Sequence, residues 1–191
     1  MKQQLRNTDH GYGWIAIVFH WIGAIAVTGM FGLGIYMVDL TFYDPWYKGS
    51  LDLHKSLGIL IALLISARLI WRIVNPSPRG LSDKKLENQA AHTVHWILYG
   101  AMICMFVSGY LISTADGRGI NVFDWFTVPA TLTGENQADL AGEIHEWLAW
   151  GLIGLASLHA LAALKHHFLN RDATLKRMLR PLLANKDSIE D

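Results

Sequence analysis

Apolar residues run almost unbroken through four stretches of this chain, roughly Trp14–Val38, His54–Val74, His92–Ser113 and His145–Phe168, with charged residues gathered between them. About twenty such residues suffice for a helix to cross the hydrocarbon core of a bilayer. Backbone groups in lipid have no water to bond, so a spanning stretch of this kind must be helical. The pattern therefore predicts an all-α, four-helix transmembrane bundle. Residues 1–13 precede it and residues 169–191 follow it. The run after the basic N-terminus is too long for a secretory signal, contains His20 and lacks a cleavage pattern, so it reads as a retained span.

Three connections join the spans. Asp39–Leu53 carries Phe42, Tyr43, Trp46 and Tyr47, as suits a membrane interface. Asn75–Ala91 opens on Asn75-Pro76-Ser77-Pro78, whose prolines stop the second helix. Thr114–Gly142 is the longest, and its aromatic stretch Ile120–Val128 reads as an interfacial lid. After the last span, Asp172 is placed to cap a short helix. Leu175, Met178, Leu179 and Leu182 follow at helical spacing with Lys176, Arg177 and Arg180 between them, a basic amphipathic pattern suited to an anionic leaflet.

Composition agrees: 52% of residues are hydrophobic and 17% charged, against about a quarter charged in soluble domains. Net charge is zero but unevenly spread. Thirteen Lys and Arg lie on the side of the termini and three (Lys48, Lys55, Arg118) on the other, which carries nine acids. The positive-inside rule then puts both termini in the cytoplasm. The basic tail needs no nucleic acid to explain it, and the chain has no repeat, phosphate loop or zinc motif. Cys104 is the single cysteine, so neither an intrachain disulfide nor a CxxCH haem attachment is available.

Four histidines, His20, His54, His145 and His159, lie inside the spans. A polar ring in hydrocarbon is costly, and an intramembrane histidine marks a functional site by default. His145 and His159 are fourteen residues apart, about 21 Å along a helix and on nearly one face. By depth, His54 pairs with His145 near the outer side and His20 with His159 near the inner side. Two stacked bis-histidine haems suit this set; the deep spans lack the cysteines and carboxylates of a closed zinc site. Without CxxCH the haems are b-type. His95, with His92 beside it, sits at the start of its span near the interface, shallower than His159, and is assigned to a propionate or a quinone.

Glycines and arginines extend the reading. Gly34 stands fourteen residues after His20, and Gly109 fourteen after His95. At the outer depth, small residues let a flat macrocycle approach the backbone. Arg68 and Arg72, fourteen and eighteen residues after His54, share its face and are candidate propionate partners. His166, seven residues past His159, would sit just below the inner centre, where a quinone headgroup needs a donor and a proton relay.

The segments FHWIGAI, HKSLGILIALLISARLIWR, AAHTVHWILYG, SGYLI, HEWLAW and LHALAALKHHF…DATLKRML resemble the bacterial cytochrome b561 family, over essentially all of Trp14–Leu179. The resemblance implies a four-helix bundle of the bacterial inner membrane with two b haems on His20/His159 and His54/His145. It also implies contact with ubiquinone near His166. Some relatives look like superoxide oxidases, which pass an electron from superoxide at the outer face to quinone; others relay electrons within larger dehydrogenase or hydrogenase complexes. A superoxide collector should show a basic entrance, whereas these outer loops are acidic. The expectation is electron transfer between an outer donor, superoxide or a redox partner protein, and the quinone pool. A relay subunit of a larger complex is the alternative; a non-redox carrier of metal ions or protons is disfavoured by the lack of carboxylates deep in the spans.

Overall fold

The computed structural model of the protein describes residues 4–82 and 84–181. The four predicted spans are helices: α1 (Trp14–Val38), α2 (Tyr47–Val74), α3 (Lys85–Thr114) and α4 (Gln137–Lys165). Each is long and apolar enough to cross a membrane. α1 has the expected bounds, but α2 and α3 start seven residues early and α4 eight. The added turns carry Lys48, Asp52, Lys85, Glu87, Asp139 and Glu143. Hydropathy marks where lipid is; hydrogen bonding carries a helix on into the headgroup layer. At its other end α4 stops at Lys165 rather than Phe168 and passes into a π-turn, His166–Asn170.

α1 packs mainly on α2, and α3 mainly on α4. Contact between α1 and α4 is slight, and α2 and α4 barely approach. A core of Ile61, Ile65, Tyr99, Met102 and Leu152 fills the middle of the bundle. Leu152 lies seven residues from both His145 and His159, so this layer separates two levels of histidine. Outward, Ile25, Leu63, Ile70, Leu158 and Leu161 are exposed. An apolar surface that extensive is what a lipid environment covers.

The chain is not all helix. Ile120–Val122 (β1) and Phe126–Val128 (β2) form an antiparallel hairpin within the long connection. The Trp125 amide bonds the Val122 carbonyl, and both residues between them, Phe123 and Asp124, have positive φ (47° and 59°), the mark of a hairpin turn. No Asn-Gly or Asp-Gly pair announced it. Ile120 and Val122 are buried. The Ser56 hydroxyl on α2 donates to the Asn121 carbonyl (3.2 Å) and accepts from the Phe123 amide (3.3 Å), so the expected lid is pinned to the outer end of α2.

At the opposite end the terminal segments knit together. The Asn7 side chain donates to Pro76 O (2.9 Å) and accepts from the Gly13 amide (2.9 Å). Gly13 is required there, because a Cβ would meet Leu5 O at 2.3 Å. Arg79 pairs with Asp9, and Arg177 donates to Arg79 O. Trp21 on α1 donates to Met178 O at 2.6 Å. The expected amphipathic helix is reduced to one 3₁₀ turn, Lys176–Met178, since these contacts draw the segment onto α1 and the inner loop; Leu182 lies outside the described residues.

Candidate functional site

Helix lengths set the depth of the outer pair. His54 is seven residues into α2 and His145 eight into α4, about 10–12 Å below each helix start, not at the helix ends as the sequence suggested. Their ring centroids are 6.3 Å apart with planes at 70°. Ser108 on α3 holds His145 at 3.0 Å through Nδ1, while its own hydroxyl donates to Met105 O. The imidazole must then donate, which places its proton on Nδ1 and leaves the Nε2 lone pair free. The Nδ1 of His54 is buried with no partner among the described residues. Both rings are backed by glycine: a Cβ on Gly34 would lie 3.6 Å from His54, and one on Gly109 3.2 Å from His145.

The inner level gathers more groups. His20 on α1 and His159 on α4 have centroids 6.3 Å apart at 68°. His95 is closer to His159, at 5.1 Å. It therefore lies at the depth of His159 rather than at the interface, because α3 begins ten residues before it. Arg68 on α2 lies 2.9 Å from His20 Nδ1. A guanidinium only donates, so Nδ1 accepts and the ring proton is on Nε2. Arg68 and Arg72 both stand over the Tyr99 ring, at 5.4 and 5.9 Å, and Arg72 over Trp96 at 6.0 Å. Arg68 thus faces the bundle interior, not the headgroups. Among the described residues His92 pairs with Trp96, which donates to it at 2.9 Å.

These separations can be tested against a ligand. An imidazole nitrogen sits about 2 Å from a bound metal and about 1.2 Å from its ring centre, so two rings on opposite sides of one metal have centroids about 6.4 Å apart. His54/His145 and His20/His159 meet that distance; His95/His159 is too close. No cluster of three His, Cys, Asp or Glu exists among the described residues, which disfavours a tetrahedral ion. Paired imidazoles between helices that barely touch suit an iron whose other four positions belong to a flat macrocycle. The residues present fit haem.

At the end of α4, His166 turns back on the chain. Its Nδ1 lies 2.5 Å from Asp172 Oδ2, while Asp172 Oδ1 accepts from the Thr174 amide at 2.8 Å. Arg171, in the left-handed region (φ 56°), makes the reversal, and the amides of Arg171 and Asp172 both bond His166 O. Burial would raise the Asp172 pKa, but the Thr174 hydrogen bonds and His166 outweigh it and hold the carboxyl below its usual range. Lys165 reaches Glu87 on α3 at 3.6 Å. Sequence reasoning missed Ser108 and the pairing of Asp172 with His166; the signal for Ser108 was a polar side chain inside the SGYLI segment of an otherwise apolar span.

The description "Prokaryotic cytochrome b561" belongs to the family model that matches residues 11–181. The chain is 50% identical to Escherichia coli (strain K12) "Cytochrome b561 homolog 2" over 91% of this chain and 93% of the relative. It is 31% identical to Yersinia pestis "Probable superoxide oxidase CybB" over 72% and 77%. With E. coli "Cytochrome b561 homolog 1" it shares 28% identity over 85% and 93%. The chain belongs to the prokaryotic cytochrome b561 family, multi-pass b-haem proteins of bacterial membrane electron transport.

Proposed function

We propose that the protein carries electrons across the bacterial inner membrane through two b haems, one between His54 and His145 and one between His20 and His159. The observation that carries this is the pair of matched separations, 6.3 Å at each of two levels, on rings from separate helices. Bound there, the haems would supply one-electron carriage, and the protein sets their position and potential. Ser108 keeps His145 in the coordinating tautomer. His20 can offer Nε2 only when its proton moves to Nδ1, which releases Arg68. Freed, Arg68 would join Arg72 in binding propionate carboxylates, with His95 alongside as a further polar contact.

A ubiquinone exchanging electrons near His166 would complete the path, with both termini in the cytoplasm. The similarity to a probable superoxide oxidase makes superoxide a candidate donor. Acidic outer loops argue instead for a cationic redox partner. Of the three outer cations, Arg118 is bound to Asp116 and Lys48 stands over Phe42, which leaves Lys55, beside His54.

Haem quantitation tests the pairing. His54→Ala or His145→Ala should remove one haem and largely spare the other, and His20→Ala or His159→Ala should do the reciprocal. Unchanged stoichiometry in all four would end the assignment.

A further inference from the structure

We infer that Asp172 is a positioning residue for proton exchange with quinone: it fixes the His166 ring so that Nε2 alone faces the quinone oxygen. This rests on the proposed quinone contact at His166 and names how that contact would work. Both oxygens of Asp172 are committed, Oδ1 to the Thr174 amide and Oδ2 to His166 Nδ1 at 2.5 Å. The Asn170 side-chain Nδ2 lies 3.2 Å from the same ring nitrogen, but a carboxylate is the stronger partner. The shared proton therefore sits on Nδ1 and points at Asp172. His166 Nε2 has no hydrogen bond among the described residues and is the ring's free position.

The backbone makes this arrangement. An α-helix brings i+3 and i+4 side chains together, not i+6. The π-turn and left-handed Arg171 bring Asp172 back over His166. The α-helix thus changes form where the proposed chemistry is, as π-turns often do at functional sites. Other charges near the ring are Lys165, Glu87 on α3 and Lys84, with Arg177 near Asp172.

Reduction of a quinone to a quinol takes two electrons and two protons. The electrons come from the membrane electron-transfer path. One proton leaves His166 Nε2 as the quinone O–H bond forms, and the ring, neutral with Nδ1–H on Asp172, is reprotonated by water. The second proton enters directly from the same aqueous face. In quinol oxidation the same nitrogen accepts. Asp172 serves as counter-charge to the imidazolium in both directions.

The experiment compares wild type, Asp172→Asn, Asp172→Glu and His166→Gln as full-length, haem-loaded proteins, reading quinone reduction and quinol oxidation by stopped flow with a short-chain ubiquinone. Asparagine keeps the turn to Thr174 but presents a donor to Nδ1, forcing the proton onto Nε2. Asp172→Asn should lower kcat about ten- to hundredfold with little change in KM, and Asp172→Glu should recover part of it. ¹⁵N spectra of labelled histidines in the reduced protein, with His166→Gln for assignment, should show an Nδ1–H ring at His166 in wild type. A ring protonated on Nε2 but bare at Nδ1 overturns the inference even if Asp172→Asn misfolds. If His166→Gln is slow but Asp172→Asn is normal, the positioning role is wrong and the quinone site stands. If His166→Gln is also normal, the quinone contact itself falls.

Discussion

Ser108→Ala isolates one hydrogen bond at the outer histidine pair. Ser108 is only 4% exposed, and its hydroxyl stands 3.0 Å from His145 Nδ1 and donates to Met105 O at 3.0 Å. Met105 O is a helix carbonyl with its own ladder bond, so the substitution costs it little. His145 Nδ1–H loses the Ser108 oxygen and is left with the Met105 carbonyl as its acceptor. Losing one of two acceptors costs about the net value of a hydrogen bond, roughly 0.5–1.5 kcal/mol, or about 2- to 13-fold in an equilibrium constant. Loss of a partner behind a metal-bound histidine typically weakens metal binding about 10–100-fold. Ser108→Ala should therefore shed the outer haem about that much more readily to an apo-globin acceptor, while the inner haem leaves at its normal rate. Ser108→Thr keeps the hydroxyl and should behave nearly as wild type. Equal loss rates for both haems in Ser108→Ala, or none faster than wild type, would refute the role of this bond.

Gly109→Ala puts a methyl 3.2 Å from the His145 ring, whereas Gly34→Ala puts one 3.6 Å from His54. The first should lower outer haem occupancy and the second should not; haem content per protein measures this, and equal occupancy would count against ring crowding at Gly109. Outer-face charge makes a further prediction: reduction by a cationic one-electron carrier should slow as salt rises, and reduction by superoxide should quicken, because nine acids face three bases. Opposite signs in stopped-flow rates would show that a local positive spot near Lys55 governs entry.

Pairing by depth survived an error in the helix boundaries because the error was shared. α2 and α4 start seven and eight residues before their apolar cores, so His54 and His145 both sink by two turns and stay level. A rise of 1.5 Å per residue holds in any helix, so relative depth is legible even when absolute depth is not. His95 was misplaced because its error was not shared. Its reference, the start of α3, moved seven residues, while the end of α4, from which His159 was measured, moved by three. That difference is enough to carry His95 from the interface to the side of His159. The hairpin over α2 was hidden for another reason: its turn places Phe123 and Asp124 at positive φ without a glycine, and a buried serine hydroxyl, not a turn motif, secures it. The Asp172–His166 pair was hidden most deeply. Six residues is no helical spacing, and the contact exists only because α4 gives way to a π-turn closed by a left-handed arginine. Periodicity reads regular backbone, so it pairs histidines carried on helices and misses a partner that meets its histidine where the helix ends.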